Sequence, residues 1–343
     1  MHSPSDFDPD KHEAANDLFG IPCTEELAQI VMIPLPWEVT VSYGGGTSKG
    51  PELIRDASVQ ADLYDIYWGE PWRNGWFMQP ENYDHAFKSE WLNAKVQNLR
   101  DNPKNAGELK QSIDRSCAEF FEEIEKNCTS ILQKGKIPAI IGGEHTSALP
   151  ALQALNKQYE DFGILQIDAH ADLRQQYEGL KYSHATIMHH AMQLNNLQQI
   201  AAVGIRDFSK DEVVVMKENQ DIYRPFFSSS LHERLFDGDT WRELCQEIVN
   251  DLPDNVYISF DIDGLEPWLC PGTGTPVPGG LDYFQAVALL REVFEAGKKI
   301  IGFDLTEVAP SSGEWDGNTG ARILYNLCAA TSLSNKQHKS QEK

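Results

Sequence analysis

Short apolar runs rich in isoleucine and valine alternate with longer amphipathic stretches through most of the chain. The runs occupy residues 137–143, 162–168, 200–205, 256–263 and 300–305. Apolar residues recur every three or four positions, the spacing of a helix with one buried face, in the stretches 108–133, 281–296 and 319–332. Nearly continuous apolar strands separated by helices predict an α/β protein with a central, mainly parallel sheet covered by helices on both faces.

The chain of 343 residues is predicted to form one domain flanked by two polar terminal segments. Residues 1–28 are predicted to form an acidic, poorly ordered N-terminal arm, and residues 334–343 a disordered tail. No linker or low-complexity block interrupts residues 29–333, which we interpret as a single domain. The segment 71–105 has weak periodicity and is interpreted as an excursion from that domain.

Acidic residues and histidines follow the predicted strands at their carboxyl ends, the edge where parallel sheets bind ligands. Because side chains alternate along a strand, Asp168, His170 and Asp172 converge if the chain stays extended, as do Asp261 and Asp263. An isolated Asp-x-Asp pair is a weak signal, since acidic residues often cap turns. The presence of both groups at neighbouring strand ends is a more specific signal of metal binding than either group alone.

His145 follows a third predicted strand and adds an imidazole to this acidic cluster. Buried carboxylates repel one another strongly unless cations lie between them. A mixed set of oxygen and nitrogen ligands is typical of sites for Mn²⁺ or a similar first-row ion, whereas a structural zinc site of the thiolate type uses cysteine ligands. Two such ions about 3.5–4 Å apart can share one hydroxide, so the pattern predicts a binuclear metal centre.

The charge balance restricts the partners. The chain has 52 acidic and 29 basic residues and a net charge of −23, which argues against nucleic acid and anionic membranes and is compatible with a cationic substrate. No apolar stretch approaches the roughly 18 residues of a membrane span, and the polar start lacks a signal-peptide pattern. The six scattered cysteines include no C-x-x-C pair, so we expect reduced thiols and a cytoplasmic protein.

Four motifs carry a resemblance to a known family: GGEHT (142–146), DAHAD (168–172), SFDIDGLEP (259–267) and GFDLTEVAP (302–310). In this order and spacing, over most of residues 40–332, the chain resembles the ureohydrolases, which comprise arginases, agmatinases and related guanidino-compound amidinohydrolases. The resemblance implies a three-layer α/β/α fold of the arginase and deacetylase type. It also implies two Mn²⁺ per chain, with Ni²⁺ or Co²⁺ fitting the same ligands, and a homo-oligomer, a trimer or a hexamer.

The resemblance also implies a set of metal ligands. One ion is expected to be held by His145, Asp168, Asp172 and either Asp263 or Asp261. The other is expected to be held by His170, with the aspartates at 168, 172, 261 and 263 shared or bridging in part.

Further roles follow from the match. Glu307, in TEVAP, matches the residue that holds the substrate guanidinium; the alternative is a surface glutamate at a strand end. His184 matches the loop histidine that protonates the departing amine, a task suited to an imidazole titrating near pH 7. Asp172 is expected both to bind metal and to accept a proton from the hydroxide. Thr275 is expected beside the guanidinium, with a plain turn threonine as an equal alternative.

The favoured function is hydrolysis of a guanidino C–N bond to release urea, with agmatine as substrate, because loop 172–186 resembles that of agmatinases. Arginine, other guanidino acids and free guanidine stay open as substrates, since Glu144 and Glu266 stand where aspartate is common and residues 311–323, expected to flank the pocket, are atypical. A deacetylase of related fold is disfavoured by the doubled aspartates and Glu307. A catalytically inactive metal-binding regulatory relative is disfavoured by the intact ligand positions.

Overall fold

The computed structural model describes residues 4, 7–9, 17–102 and 106–341, and within them an eight-stranded sheet in which all strands are parallel. The strand order is β2-β1-β3-β8-β7-β4-β5-β6. The strands are β1 (Ile30–Leu35), β2 (Trp76–Met78), β3 (Ile137–Gly142), β4 (Phe162–Ile167), β5 (Leu197–Ile205), β6 (Tyr223–Phe227), β7 (Asn255–Asp261) and β8 (Lys299–Thr306). The five predicted apolar runs form β3, β4, β5, β7 and β8.

Helices cover both faces of this sheet. They are α1 (Gly50–Ser58), α2 (Tyr83–Asp101), α3 (Ala106–Gln133), α4 (Leu149–Gln158), α5 (Ile187–Ala191), α6 (Lys210–Glu218), α7 (Ser228–Asp237), α8 (Trp241–Asn250), α9 (Tyr283–Glu295) and α10 (Trp315–Gln341). Helices α1, α8, α9 and α10 pack together, as do α2, α3 and α4. The chain crosses from β3 to β4 in one direction and from β7 to β8 in the other, so right-handed crossovers place α4 and α9 on opposite faces. The predicted three-layer α/β/α fold is confirmed.

The structure corrects the expected N-terminal boundary. Phe19 is 3% exposed, and its ring packs edge-on against the rings of Trp76 and Tyr325. Its main-chain N–H donates to Oγ of Ser58 at 2.9 Å. The expected poorly ordered arm is therefore wrong for residues 18–28, because most of the apolar side chains there are buried against the rest of the chain. The buried residues are Leu18, Phe19, Ile21, Cys23 and Ala28. Residues 1–3, 5, 6 and 10–16 lie outside the described residues.

The predicted disordered tail is also corrected, since α10 continues through Ser334 to Gln341. The main-chain N–H of Ile300 donates to Oγ of Ser334 at 3.2 Å, and Nδ2 of Asn335 donates to the carbonyl of Ile300 at 2.7 Å. The polar composition that suggested disorder thus satisfies main-chain groups of β8. Residues 342 and 343 lie outside the described residues.

The described part of the segment 71–105, residues 71–102, packs against the rest of the described chain, and residues 103–105 lie outside the described residues. It contributes the edge strand β2, paired with β1, and helix α2, packed on α3. Trp72 and Trp76 are almost completely buried in the core. Among the described helices, none has both the length and the apolar character needed to cross a membrane. All six cysteines are buried and unpaired.

Candidate active site

Four adjacent strands in the middle of the sheet bring the predicted site residues to one edge. In spatial order these strands are β3, β8, β7 and β4. The predicted metal ligands lie at or just after the ends of β3, β4 and β7, and Glu307 follows β8. Because the strands are parallel, their carboxyl ends meet at this edge, where α/β sheets bind ligands.

Two groups of ligand-type side chains share Asp168. In the first group, Nδ1 of His145 lies 3.2 Å from Oδ2 of Asp168 and 3.0 Å from Oδ2 of Asp172. In the second, Nδ1 of His170 lies 3.0 Å from Oδ2 of Asp263 and 3.7 Å from Oδ1 of Asp168. Within each group the ligand atoms lie within 4.8 Å of one another. Asp168 therefore presents one carboxylate oxygen to each group.

Asp261 lies beside the first group. Its Oδ2 is 3.5 Å from Nδ1 of His145, and its Oδ1 accepts a hydrogen bond of 2.9 Å from the main-chain N–H of Asp263. The fold thus brings together all six residues expected to be ligands from the sequence.

The electrostatics of the cluster fit bound cations. Burial, followed by the charge of Asp168, raises the pKa of Asp172 to about 7. Burial, followed by Asp263, raises the pKa of Asp261 well above its ordinary value. Burial alone would lower the pKa of His170, but Asp263 and Asp168 raise it to about 12. The raised pKa values of Asp172 and Asp261 mean that these two buried carboxyl groups favour the protonated form unless cations balance their charge. Carboxylate and imidazole donors of this kind fit divalent first-row ions.

Hydrogen bonds behind the ligands fix their orientation. Oγ of Ser259 lies 2.8 Å from Nε2 of His145, which leaves Nδ1 to face the cluster. Nε2 of Gln166 donates to Oδ2 of Asp168 at 2.9 Å. Neither Ser259 nor Gln166 was predicted from the sequence as a site residue. The alternation of strand side chains was an available signal, since each lies two positions before a predicted aspartate on the same face.

A pocket opens over the cluster. Side chains from several loops join five of the candidate ligands, all except Asp168, in its wall. Beyond those ligands, the lining residues are Val41, Ser42, Tyr43, Arg174, Tyr177, His184, Ala185, Asp207, Phe208, Glu212, Gly274, Thr275 and Glu307.

Glu307 lies in this pocket next to the first group. Its Oε1 accepts a hydrogen bond from the main-chain N–H of His145. Glu307 and Asp172 both adopt left-handed backbone conformations, with φ of 65° and 54°, which non-glycine residues keep mainly at functional sites. A Cβ on Gly274 would lie 3.1 Å from Oε2 of Glu307, so a larger residue there would crowd this carboxylate. Thr275 is half-buried and lines the same wall.

His184 lies across the pocket in a short 3₁₀ turn, His184–Thr186. Its Nδ1 is 3.1 Å from Oγ1 of Thr40. Desolvation, followed by the charge of His170, lowers the pKa of His184 to about 3. The expectation of an imidazole titrating near pH 7 therefore does not describe this site, and the ring is neutral at neutral pH in these surroundings.

The loops expected around the substrate behave differently from each other. From the loop 173–183, Arg174 and Tyr177 line the pocket. None of residues 311–323, all of which the structure describes, lines it. Asp316 instead accepts hydrogen bonds from the main-chain N–H of Gly272 at 2.7 Å and of Ser311 at 3.0 Å. The expectation that residues 311–323 flank the pocket is wrong, because this segment supports the loop behind it.

Arg206 is a supporting residue that the sequence analysis missed. Its guanidinium donates to the carbonyl oxygens of Asp263 at 2.6 Å and Val277 at 2.7 Å. It therefore ties a ligand-bearing turn to the loop before Gly279. Its position directly after the buried strand β5 was an available signal.

The all-parallel three-layer fold and the carboxylate–imidazole cluster at its central strand ends define an α/β protein with a candidate binuclear metal centre. Residues 28–330 match the arginase family. The chain belongs to the arginase family, as the four motifs predicted.

Similar proteins refine this assignment. The chain is 31% identical to the agmatinase of Bacillus subtilis (strain 168), over 88% of this chain and 91% of that protein. It is 31% identical to the N(1)-aminopropylagmatine ureohydrolase of Thermococcus kodakarensis, over 88% and 90% of the two chains. The agmatine ureohydrolase of Thermoplasma volcanium has a similar structure, with a TM-score of 0.71, 25% identity and coverage of 95% and 97%. These relatives confirm the predicted class, a ureohydrolase of the agmatinase type.

Proposed function

We propose that this protein hydrolyses the guanidinium group of a small cationic guanidine, with agmatine favoured, and releases urea and the corresponding amine. The observation that carries the proposal is the position of Asp168, which presents one oxygen to each ligand group. The other five candidate ligands line a pocket that also holds Glu307. This arrangement suits two ions that share a carboxylate beneath one substrate.

Two Mn²⁺ ions fit the donor set best, and Ni²⁺ or Co²⁺ fit the same ligands. His145, Asp168 and Asp172 would hold one ion, with Asp261 beside them. His170, Asp168 and Asp263 would hold the other. When bound, such a pair supplies a water nucleophile at neutral pH by lowering the pKa of water.

The chain's own residues would bind the substrate and move the protons. Glu307 accepts paired, charge-assisted hydrogen bonds from the planar guanidinium and fixes its carbon over the cluster. Asp172 accepts a proton from the attacking water. His184, neutral in these surroundings, takes up a proton and delivers it to the amine nitrogen as the C–N bond breaks. The proposal gives Thr275 a place in the wall beside the guanidinium.

The charges around the pocket support agmatine over a substrate with a carboxylate. The side chain of Asp207 is 66% exposed and lies 3.8 Å from Nε2 of His170, where it offers a partner to a second positive charge. Arg174 is the cation in the wall, but its Nε lies 3.7 Å from a carboxylate oxygen of Glu212, so its charge is balanced locally. The relatives named agmatinase and N(1)-aminopropylagmatine ureohydrolase agree with a substrate of this kind.

The proposal includes a cytoplasmic homo-oligomer, a trimer or a hexamer. Tyr83, Phe87 and Trp91 recur every four residues along α2 and are 85%, 71% and 47% exposed, an apolar stripe that supports self-association. Six buried, unpaired cysteines agree with a reducing compartment. Light scattering on the purified protein tests the assembly.

Metal-dependent urea release tests the proposed reaction. The chelated protein should be inactive on agmatine, and adding Mn²⁺ back should restore equal amounts of urea and putrescine. Full turnover by exhaustively chelated, metal-free protein would overturn the proposal.

A further inference from the structure

The hydroxyl of Thr40 joins two groups beside the pocket. Its Oγ1 lies 3.1 Å from Oε2 of Glu144 and 3.1 Å from Nδ1 of His184. The main-chain N–H of His184 donates to the same oxygen at 3.2 Å. Thr40 is 1% exposed and Glu144 is completely buried. These contacts connect the loop after β1, the end of β3 and the pocket loop.

Glu144 determines where the single hydroxyl hydrogen of Thr40 points. Its carboxylate also accepts hydrogen bonds from the main-chain N–H groups of Val39 at 3.0 Å and Thr40 at 2.7 Å, and from Oγ1 of Thr146 at 2.7 Å. Burial raises the pKa of the Glu144 carboxyl to about 7, but its Oε2 already accepts two main-chain N–H groups. This oxygen is therefore an acceptor toward Thr40 whether or not Oε1 carries a proton. The hydroxyl of Thr40 therefore donates to Glu144.

The two remaining lone pairs of the hydroxyl oxygen face His184. One accepts the main-chain N–H of His184, and the other faces Nδ1, which must carry a hydrogen to donate to it. Oγ of Ser183, 3.4 Å from Nδ1, is more distant. Among the described residues, the opposite ring nitrogen, Nε2, has no protein partner. We propose that Thr40 is a positioning residue that holds His184 as the Nδ1–H tautomer, with the Nε2 lone pair free for proton transfer.

The consequence for the reaction rests on the proposed function. Nε2 takes up the proton that Asp172 accepts from the attacking water and gives it to the leaving amine nitrogen as the C–N bond breaks, while the hydrogen on Nδ1 stays hydrogen-bonded to Thr40. Without the Thr40 hydroxyl, the imidazole loses the partner that fixes both its tautomer and its orientation. Residues that orient a functional histidine in this way are typically worth about 10–100-fold in activity or affinity.

Three variants test the role of this hydroxyl. Thr40→Val keeps the shape and removes the hydrogen bonds, and it should lower kcat about 10–100-fold while metal content and KM change little. Thr40→Ser keeps a hydroxyl and should recover most of the loss. Thr47→Val is the matched control, because Thr47 lies in the same connection between β1 and α1, is fully buried, and has an Oγ1 with no hydrogen-bond partner among the described residues.

Two further measurements separate positioning from a merely structural role. In a protein that already carries His184→Asn, adding Thr40→Val should lower kcat little further, because both changes remove the same interaction. Nitrogen NMR of ¹⁵N-histidine-labelled protein, with His184→Asn identifying the signals, should show a protonated Nδ1 and an unprotonated Nε2 in the wild type, and loss of that preference in Thr40→Val.

An Nε2–H tautomer in the wild type would overturn the proposal. Equal decreases of kcat in Thr40→Ser and Thr40→Val would also overturn it, as would a decrease of kcat by Thr40→Val that is just as large when His184→Asn is already present. The NMR measurement needs no turnover. If the wild type releases urea from no guanidine, the proposed function fails while the tautomer still decides the role of Thr40.

Discussion

The main-chain N–H of His145 donates a hydrogen bond of 2.8 Å to Oε1 of Glu307. This bond joins the end of β3 to the end of β8 and holds the Glu307 carboxylate beside the candidate metal ligands. It also helps to maintain the left-handed backbone of Glu307, a conformation that costs a non-glycine residue on the order of 1–3 kcal/mol. The hydrogen bond thus fixes the orientation of the Glu307 carboxylate before a substrate binds.

Replacing Glu307 with glutamine should separate charge from shape. The amide oxygen can still accept the hydrogen bond from His145, so the fold and the metal content should survive. The substrate guanidinium loses its anionic partner, and kcat/KM should fall by about 10²–10³-fold for every guanidine. Steady-state kinetics with metal analysis check this, and an unchanged kcat/KM would remove Glu307 from the substrate site.

Asp263→Asn should remove one of two ions. Asp263 belongs to the group of His170 and Asp168, whereas the group of His145, Asp168 and Asp172 does not depend on it. The metal content of this variant should fall from about two ions per chain toward one, and nearly all turnover should be lost. Asp207→Asn is the control, since Asp207 is near His170 but outside both groups, and its metal content should stay at two. Retention of both ions by Asp263→Asn would show a misassigned ligand.

Metal should stabilise the protein against heat. Ions that bind only the folded state add about 2.7 kcal/mol per site at a free concentration of 100 times Kd, and they relieve the repulsion among the buried aspartates. Chelation should therefore lower the unfolding temperature, and Mn²⁺ should restore it. Identical unfolding curves with and without Mn²⁺ would argue against a metal centre in this cluster.

His184→Asn should slow the reaction by about 10²–10⁴-fold, the usual contribution of a proton-transfer group. Metal content should not change, because the described contacts of His184 are with Thr40 and Ser183 and not with the candidate ligands. Loss of an ion in this variant would place His184 in the metal centre instead.

The central strands could be predicted because both faces of each are covered. The runs that form β3, β4 and β7 are almost continuously apolar, as strands between two helical layers must be. Three strands were missed. Strand β1 was missed although its residues are as continuously apolar as the predicted runs. The edge strands β2 and β6 were missed because β2 has three residues and β6 contains Pro225. Helix α2 was missed because its exposed face carries aromatic residues, which obscures the amphipathic period.

The candidate site was predictable where its residues stand close together in the sequence. Asp168, His170 and Asp172 follow one strand, so a motif records their convergence. The contact between Thr40 and His184 joins residues 144 positions apart, and no local pattern records it. The α10 residues Ser334 and Asn335 were misjudged for the same reason, because their partners lie on β8.

The most direct test of the account is urea release by the Mn²⁺-loaded protein from a panel of guanidines compared by kcat/KM. The panel should contain agmatine, N(1)-aminopropylagmatine, arginine, guanidinobutyrate and free guanidine. The protein should release urea and putrescine from agmatine, with arginine turned over far more slowly. If kcat/KM for arginine or free guanidine exceeds that for agmatine by more than about tenfold, or about 1.4 kcal/mol in the activation barrier, the assignment of agmatine as the substrate is wrong. The absence of urea from every guanidine would contradict the reaction itself.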